Sequence, residues 1–293
     1  MLALFNHITS ESSRKRIEKM TLFLALFFFI AHLVIIYLIK FNYLNINPGS
    51  GLFSNPISAI YTPFSFILVY EVYLLIYYLP KSFTNYLTKQ YEIITLIIIR
   101  RLFKDLSSIE ISSNWFELNQ DLQFTYDIIA SIILFYLIFL FNKQSEKLYK
   151  EKGTSESIKN FIYLKKIIAF TLVPIFFFLA TYTLVNWVVD VLQTSKISNF
   201  SGINNLFFDE FFTILILVDV VLLLISFFYT DKFHKIIRNS GFIISTILIR
   251  MSFGADGLIS TLLIVTAVIF GLAIITIHNK FESESFKNNP QNT

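Results

Sequence analysis

Residues 21–39 read TLFLALFFFIAHLVIIYLI and contain no charged side chain. An α-helix needs about 20 apolar residues to cross a bilayer core of about 30 Å, so this stretch predicts a membrane span. The whole chain has the same character. Of its 293 residues 55% are hydrophobic and 15% are charged, whereas soluble domains carry about 25% charged residues. We therefore predict an all-α, polytopic helical membrane protein whose first partner is the lipid bilayer.

Apolar runs of similar length recur along the chain. Six of them reach or nearly reach the length of a span, and these are residues 21–39, 63–79, 124–141, 167–189, 206–229 and 258–277. Two shorter runs are weaker, because residues 91–99 end at Arg100 and residues 241–249 end at Arg250. Hydropathy alone does not decide whether these two runs are membrane spans.

The positions of Lys and Arg decide the number of spans. The segment before residue 20 and residues 142–166 are both rich in basic residues, and basic loops stay on the cytoplasmic side. An even number of spans must separate them. The runs at 21–39, 63–79 and 124–141 give three, so residues 86–106 must supply one more span. The same reasoning adds residues 241–253. We expect eight transmembrane helices in the cell inner (plasma) membrane, with both termini cytoplasmic.

Composition and motifs exclude several classes of protein. The chain has no cysteine, which excludes disulfides and cysteine-ligated metals. The histidines His7, His32, His234 and His278 are scattered along the sequence, so no metal site and no cofactor are expected. The net charge of +4 fits basic cytoplasmic loops rather than nucleic-acid binding. Phosphate-loop, dinucleotide and zinc-protease motifs are absent from the sequence, which argues against an enzyme.

The two halves of the chain resemble each other. Residues 64–71 read FSFILVYE and residues 212–219 read FTILILVD. Each is followed by more apolar helix, a basic loop, a short apolar helix and an arginine. Repeats with an even number of spans run parallel. We therefore predict two parallel four-helix repeats, with a cytoplasmic N-terminal segment at 1–19, the repeats at 20–142 and 161–280, a cytoplasmic linker at 143–160 and a cytoplasmic tail at 281–293.

The first repeat places an acid and an arginine on adjacent predicted helices. Glu71 lies nine residues before Pro80, the predicted inner end of its helix. Arg100 lies ten residues after Gln90, the predicted inner end of the next helix. These depths are about 13 and 15 Å at 1.5 Å per residue. An unpaired charge at that depth costs at least about 2.5–3.5 kcal/mol. We therefore predict an intramembrane pair between Glu71 and Arg100.

The second repeat shows the same arrangement. Asp219 lies eleven residues before the predicted inner end at Thr230, and Arg250 lies ten residues after the one at Ser240. The depths are about 16 and 15 Å, which predicts a pair between Asp219 and Arg250. Such pairs mark ion or proton pathways, or they only fix helix register and packing. The sequence leaves both interpretations open.

Other ionisable residues in or near the spans are secondary candidates, namely His32, Arg101, Asp105, Asp127, Asp190 and Asp256. His32 lies near the middle of the first span and either joins a proton path or is a hydrogen-bonded interior histidine. Asp127 and Asp190 lie near the outer ends of their helices, where we expect capping or interface roles. Arg101 is expected to extend outward to the interface.

Residues 97–105, which read IIIRRLFKD, resemble the phosphate-starvation-inducible E (PsiE-like) family of small four-span bacterial membrane proteins. The family pattern has an acid in mid-helix, then a short apolar helix that ends in two basic residues, then an Asp. The residues that fit it are Glu71, Arg100, Arg101 and Asp105 in the first half and Asp219, Arg250 and Asp256 in the second. Met251 replaces the second basic residue, and the tandem copy, the linker and the insert 105–121 depart from the pattern. The resemblance implies a membrane protein with stress-linked expression and no established biochemical activity.

Two functional hypotheses follow from the sequence. The first is a non-enzymatic multi-pass protein whose paired charges form an ion- or proton-responsive core of a channel, transporter or sensor. The alternative is a structural or interaction subunit, in a homo-oligomer or with a membrane partner, in which the pairs only hold helices together.

Overall fold

All regular secondary structure in the described part of the chain is helical, which confirms the all-α prediction. The computed structural model describes residues 9–43, 53, 56–106, 119–147, 156–194, 200–229, 232–255 and 257–288. The α-helices are α1 Glu11–Lys40, α2 Tyr61–Tyr78, α3 Phe83–Leu106, α4 Asn119–Ser145, α5 Glu156–Thr194, α6 Phe200–Phe227, α7 Phe233–Phe253 and α8 Gly257–Asn288. A 3-10 helix at Pro56–Ile60 precedes α2. Each predicted span thus corresponds to one helix.

Seven of these helices contain segments that are long and apolar enough to cross a membrane. The chain is therefore a membrane protein with several apolar spans. The helix outside this group is α3, whose first half carries polar side chains such as Thr84, Lys89 and Gln90. The eighth span, the two-repeat arrangement and the orientation of the termini stay predictions.

Helix α1 shows why the protein needs lipid around it. Among its thirty residues, Ala25 and Ile36 are the buried ones, while Phe23, Leu26 and several neighbours are exposed. A helix that is apolar on every side and mostly uncovered is unstable in water. At its start, the Ser10 hydroxyl accepts a hydrogen bond from the Ser13 backbone N–H and caps the first turn.

Helices α7 and α8 form a hairpin with a short connection. Helix α7 ends at Phe253 with Gly254 as its C-cap, and α8 begins at Gly257, whose φ of 61° lies in the left-handed region that favours glycine. The two helices pack closely at Gly241, where a Cβ atom would lie 2.8 Å from the Ile274 side chain. Small residues allow this close approach of membrane helices.

The polar C-terminal segment is helical for most of its length. The predicted cytoplasmic tail begins at residue 281, and α8 continues through its first residues to Asn288. The reason is local, since Glu282 is buried against the histidines of the α7–α8 hairpin and holds the last turns in place.

The chain forms two compact units that interleave along the sequence. The first unit consists of Met1–Leu74, Leu96–Ile128 and Leu172–Phe211, and the second of Leu75–Thr95, Ile129–Thr171 and Phe212–Thr293. Each has a core of its own. Phe176 packs on Phe211 in the first unit, and Phe141 packs against Tyr91 and Phe242 in the second. The predicted domain boundaries at 20–142 and 161–280 stay predictions.

Candidate functional site

The second unit buries an acid on α6 beneath side chains from α3. Asp219 is 3% exposed, and the Gln90 side-chain amide donates to its Oδ2 at 3.2 Å. Tyr86 lies one helical turn before Gln90, so both side chains lie on one face of α3. The Tyr86 side chain is also buried and faces the Asp219 carboxylate. We call Tyr86, Gln90, Lys165 and Asp219 the Asp219 cluster.

Lys165 adds a buried cation to this cluster. Its side chain on α5 is 3% exposed, and the ammonium donates to the Lys81 carbonyl at 3.1 Å. The same ammonium lies 4.0 Å from the centre of the Phe83 ring, close enough for a cation–π interaction. Its charge also acts on Asp219 through space, without a direct ion pair between these two described side chains.

The charge of Asp219 is only partly compensated. Within the described part of the chain, the carboxylate Oδ1 and the Tyr86 hydroxyl are buried atoms without a hydrogen-bond partner. Buried polar atoms in folded proteins nearly always have such partners, and each exception needs an explanation. A neutral amide and a distant ammonium are weak compensation for a buried carboxylate.

The first unit contains a direct ion pair between α3 and α4. Asp127 is fully buried, and the Arg101 guanidinium holds it through two parallel hydrogen bonds, one to Oδ2 and one of 2.6 Å to Oδ1. The Gln123 amide donates to the same Oδ1 at 2.9 Å. The expectation that Asp127 caps a helix and that Arg101 extends to the interface is therefore wrong. A fully buried carboxylate attracts the nearest guanidinium inward because no water reaches it.

The structure describes the surroundings of all four residues in the two predicted pairs. Asp219 accepts its hydrogen bond from Gln90, whereas the Arg250 guanidinium donates to the Thr213 hydroxyl at 3.0 Å. Glu71 and Arg100 are both buried in the first unit. Direct contact within either predicted pair stays a prediction.

The helix starts differ from the inner ends that the depth argument used. Helices α3 and α7 begin at Phe83 and Phe233, seven residues before the inner ends that were predicted at Gln90 and Ser240. At 1.5 Å per residue, the two arginines lie about 10 Å further into their helices than assumed. Gln90, about two turns into α3, donates to Asp219.

The secondary candidates have varied surroundings. The His32 ring nitrogen Nδ1 is 2.6 Å from the Thr62 hydroxyl, which matches the hydrogen-bonded interior histidine considered above. Asp105 lies near the end of α3 and is half-buried. The side chain of Asp190 and the whole of Asp256 lie outside the described residues.

The sequence analysis missed one further cluster. His234 at the start of α7 comes within reach of His278 and Glu282 near the end of α8, and their potential ligand atoms all lie within 4.8 Å of one another. The premise that the histidines are scattered is wrong for this pair. His278 and Glu282 are four residues apart and share a helix face, which is the one signal that the sequence offers.

Comparison with known proteins adds no family to this picture. No family model, no curated protein and no solved structure matches the chain. The resemblance to the PsiE-like family stays a prediction.

Proposed function

We propose that this chain is a non-enzymatic, multi-pass membrane protein that conducts protons through a core built around Asp219. One observation carries the proposal. The Asp219 carboxylate is fully buried on an apolar helix, and one of its oxygens has no hydrogen-bond partner among the described residues. Ionisable side chains inside membrane-spanning helices are costly to keep, and they generally mark paths for ions or protons.

The cluster offers Asp219 two states with nearly the same packing. In the ionised state, Gln90 donates to one oxygen and Lys165 supplies positive charge nearby. In the protonated state, the O–H on Oδ1 and the Tyr86 hydroxyl that faces it can form a hydrogen bond in either direction. Uptake of one proton thus removes a buried charge while Tyr86 stays within reach of the carboxyl group.

Lys165 supplies a second ionisable group on a neighbouring apolar helix. The positive charge of Lys165 acts on Asp219 through space and favours the ionised carboxylate. The Lys81 carbonyl keeps the ammonium close to α3 while leaving it outside direct contact with Asp219. This separation allows Asp219 to change its charge without breaking a salt bridge.

The proposal includes eight spans with both termini on the cytoplasmic side of the inner membrane. Basic residues collect at one end of the α7–α8 hairpin, with Lys232, Lys235 and Arg238 near the start of α7 and Lys280 near the end of α8. Basic helix ends face the cytoplasm. Helix α3 is included as a span because its polar side chains, such as Gln90, are buried against protein.

Cysteine labelling tests this topology, and the natural chain is free of cysteine. Ser112→Cys lies in the predicted outer loop between α3 and α4, and Ser155→Cys lies in the predicted cytoplasmic linker. A membrane-impermeant maleimide added to intact cells is expected to label Ser112→Cys and to label Ser155→Cys after the cells are opened. The unmodified chain is the control. Labelling of both positions from the same side contradicts the eight-span arrangement.

Proton flux in liposomes tests the role of Asp219. We expect the purified protein to dissipate an imposed pH gradient, measured with a trapped pH-sensitive dye, and Asp219→Asn to slow that flux by at least about tenfold. Asparagine keeps the shape of the side chain and its hydrogen bond to Gln90 but cannot carry the proton.

Glu210→Gln provides the matched control, since this acid lies on the same helix and is exposed. We expect it to leave the flux unchanged. Equal flux from the natural chain, from Asp219→Asn and from empty liposomes contradicts proton conduction and favours the second candidate.

The second candidate is a structural or interaction subunit whose buried polar contacts fix helix packing. The Arg101–Asp127 pair favours this role, since both carboxylate oxygens are used in holding α3 to α4. In this case Asp219→Asn changes thermal stability or the oligomeric state and has no effect on a pH gradient.

A further inference from the structure

Three metal-ligating side chains meet where α7 begins and α8 ends. His234 lies in the first turn of α7, and His278 and Glu282 lie one turn apart on α8. The Glu282 Oε1 atom is 3.5 Å from His278 Nε2 and 3.8 Å from His234 Nε2. The two imidazole rings lie 5.2 Å apart between their centres. We call these three residues the His–His–Glu cluster.

The cluster is buried on one side and open on the other. His278 is 2% and Glu282 8% exposed, whereas His234 is only half-buried and leaves a route from solvent. Within the described part of the chain, His278 Nδ1 and Glu282 Oε2 are buried atoms without a hydrogen-bond partner. The unpartnered Glu282 oxygen belongs to a carboxylate that the described residues do not fully satisfy.

We propose that the His–His–Glu cluster binds a divalent transition-metal ion, with Zn²⁺ as its reference ligand. Two imidazoles and one carboxylate are a known ligand set for zinc, which then keeps its fourth position for water. In a tetrahedral site with metal–ligand bonds of 2.0–2.1 Å, the ligand atoms stand about 3.4 Å apart. The Glu282 oxygen already lies close to that distance from both histidines, so small side-chain rotations complete the site.

Arg238 is the local competitor of the metal ion. Its Nη1 lies 3.0 Å from His278 Nε2, so the guanidinium sits beside a lone pair that the metal would use. The same guanidinium also donates to the Asn239 side-chain oxygen through Nε and Nη2, at 3.2 and 3.1 Å. Arg238 therefore keeps an anchor when a metal ion replaces it at His278.

The surrounding charge selects the class of metal. Arg238 and Lys235 place positive charge next to Glu282, which disfavours ions that are held mainly by charge. Mg²⁺ and Ca²⁺ depend on several oxygen ligands and bind poorly under these conditions. A transition-metal ion forms strong bonds to neutral imidazole nitrogens and tolerates the positive surroundings better.

The site would join the two ends of the α7–α8 hairpin. Its ligands come from the first turn of one helix and the last turns of the other, so the metal ion acts as a clamp at the open end of the hairpin. Binding to the folded state alone raises the thermal stability of the protein.

Zinc titration of the full chain tests the proposal. The protein is purified without a polyhistidine tag, stripped with a chelator and titrated with Zn²⁺ in a calorimeter, and its thermal unfolding is followed in parallel. We expect one Zn²⁺ per chain and a higher unfolding temperature in excess Zn²⁺. Mg²⁺ at the same concentration is expected to have no effect.

Two variants with opposite expected effects make the assignment specific. His234→Gln removes a half-buried ligand and is expected to weaken Zn²⁺ binding by at least about tenfold. Arg238→Gln removes the competing guanidinium and is expected to strengthen binding several-fold. His32→Gln is the matched control, because His32 contacts Thr62 and Phe53 instead, and we expect unchanged affinity.

Two results overturn the proposal. One is the absence of Zn²⁺ binding to the natural chain, and the other is equal affinity of the natural chain and of His234→Gln. Glu282→Gln provides a second ligand variant if His234→Gln does not fold, and it is expected to lose binding as well. A purely structural hydrogen-bond network predicts that Arg238→Gln lowers stability and gains no affinity for Zn²⁺.

Discussion

Gly271→Ala is expected to destabilise the protein by about 2–6 kcal/mol, since a new side chain overpacks the core and a buried hydroxyl loses its partner. A Cβ atom on residue 271 would lie 1.8 Å from the Tyr91 hydroxyl oxygen, far closer than two non-bonded atoms can approach. Tyr91 is fully buried, so it has no space to retreat. It must leave Ser245, whose hydroxyl lies 2.7 Å from its own.

Thermal unfolding in detergent, followed by circular dichroism, measures this loss. Gly254→Ala is the matched control, because the nearest atom to its new Cβ lies at 3.8 Å and we expect little change. Adding Tyr91→Phe to Gly271→Ala removes the hydroxyl and leaves the ring carbon at 3.0 Å, which a small shift can relieve. The double variant should recover most of the stability. Equal losses for the two single glycine variants would mean that Tyr91 does not lie against residue 271.

Arg101→Met is expected to cost about 3–5 kcal/mol, because it leaves Asp127 charged and fully buried. Asp127→Asn should cost less, about 1–3 kcal/mol, because Arg101 is partly exposed and can turn toward water. Replacing both residues, by Met and Leu, should restore much of the loss. An apolar pair of similar volume needs no partner.

The two single variants and the double variant form a double-mutant cycle, with unfolding free energies as the readout. Glu92→Gln is the control, since the Lys89–Glu92 pair is partly exposed and such pairs contribute about 0–1 kcal/mol. Additive losses in the cycle would contradict direct contact between Arg101 and Asp127. The same cycle on Glu71 and Arg100 would test the pair predicted there.

The helices could be predicted from the sequence, and their ends could not. Long apolar runs indicate spans, because an α-helix satisfies its backbone hydrogen bonds internally and can therefore lie in lipid. Helix α3 was found only through the balance of Lys and Arg. Its polar first half, including Thr84 and Gln90, is buried against other side chains, and hydropathy interprets buried polar residues as a helix end.

Predicting the contacts of the site required knowing where the helices begin and end. Gln90 was taken as the inner end of α3, whereas it lies seven residues inside that helix and donates to Asp219. Lys165 was counted among the basic residues of the cytoplasmic segment 142–166, although it lies on α5 and is buried. His234 and His278 are 44 residues apart in the sequence, and only the hairpin of α7 and α8 brings them together.

The short connection between α7 and α8 also bears on how the protein is made. Helix α7 carries Arg238 and Arg250 and has buried polar side chains such as Asn239 and Ser245, so it is a poor candidate to leave the translocon for lipid alone. Helix α8 is strongly apolar over most of its length. Gly254 and Gly257 lie in the short connection between α7 and α8. We therefore expect the two helices to enter the bilayer as a pair. Helix α7 is accordingly expected to insert less efficiently alone than when α8 follows it.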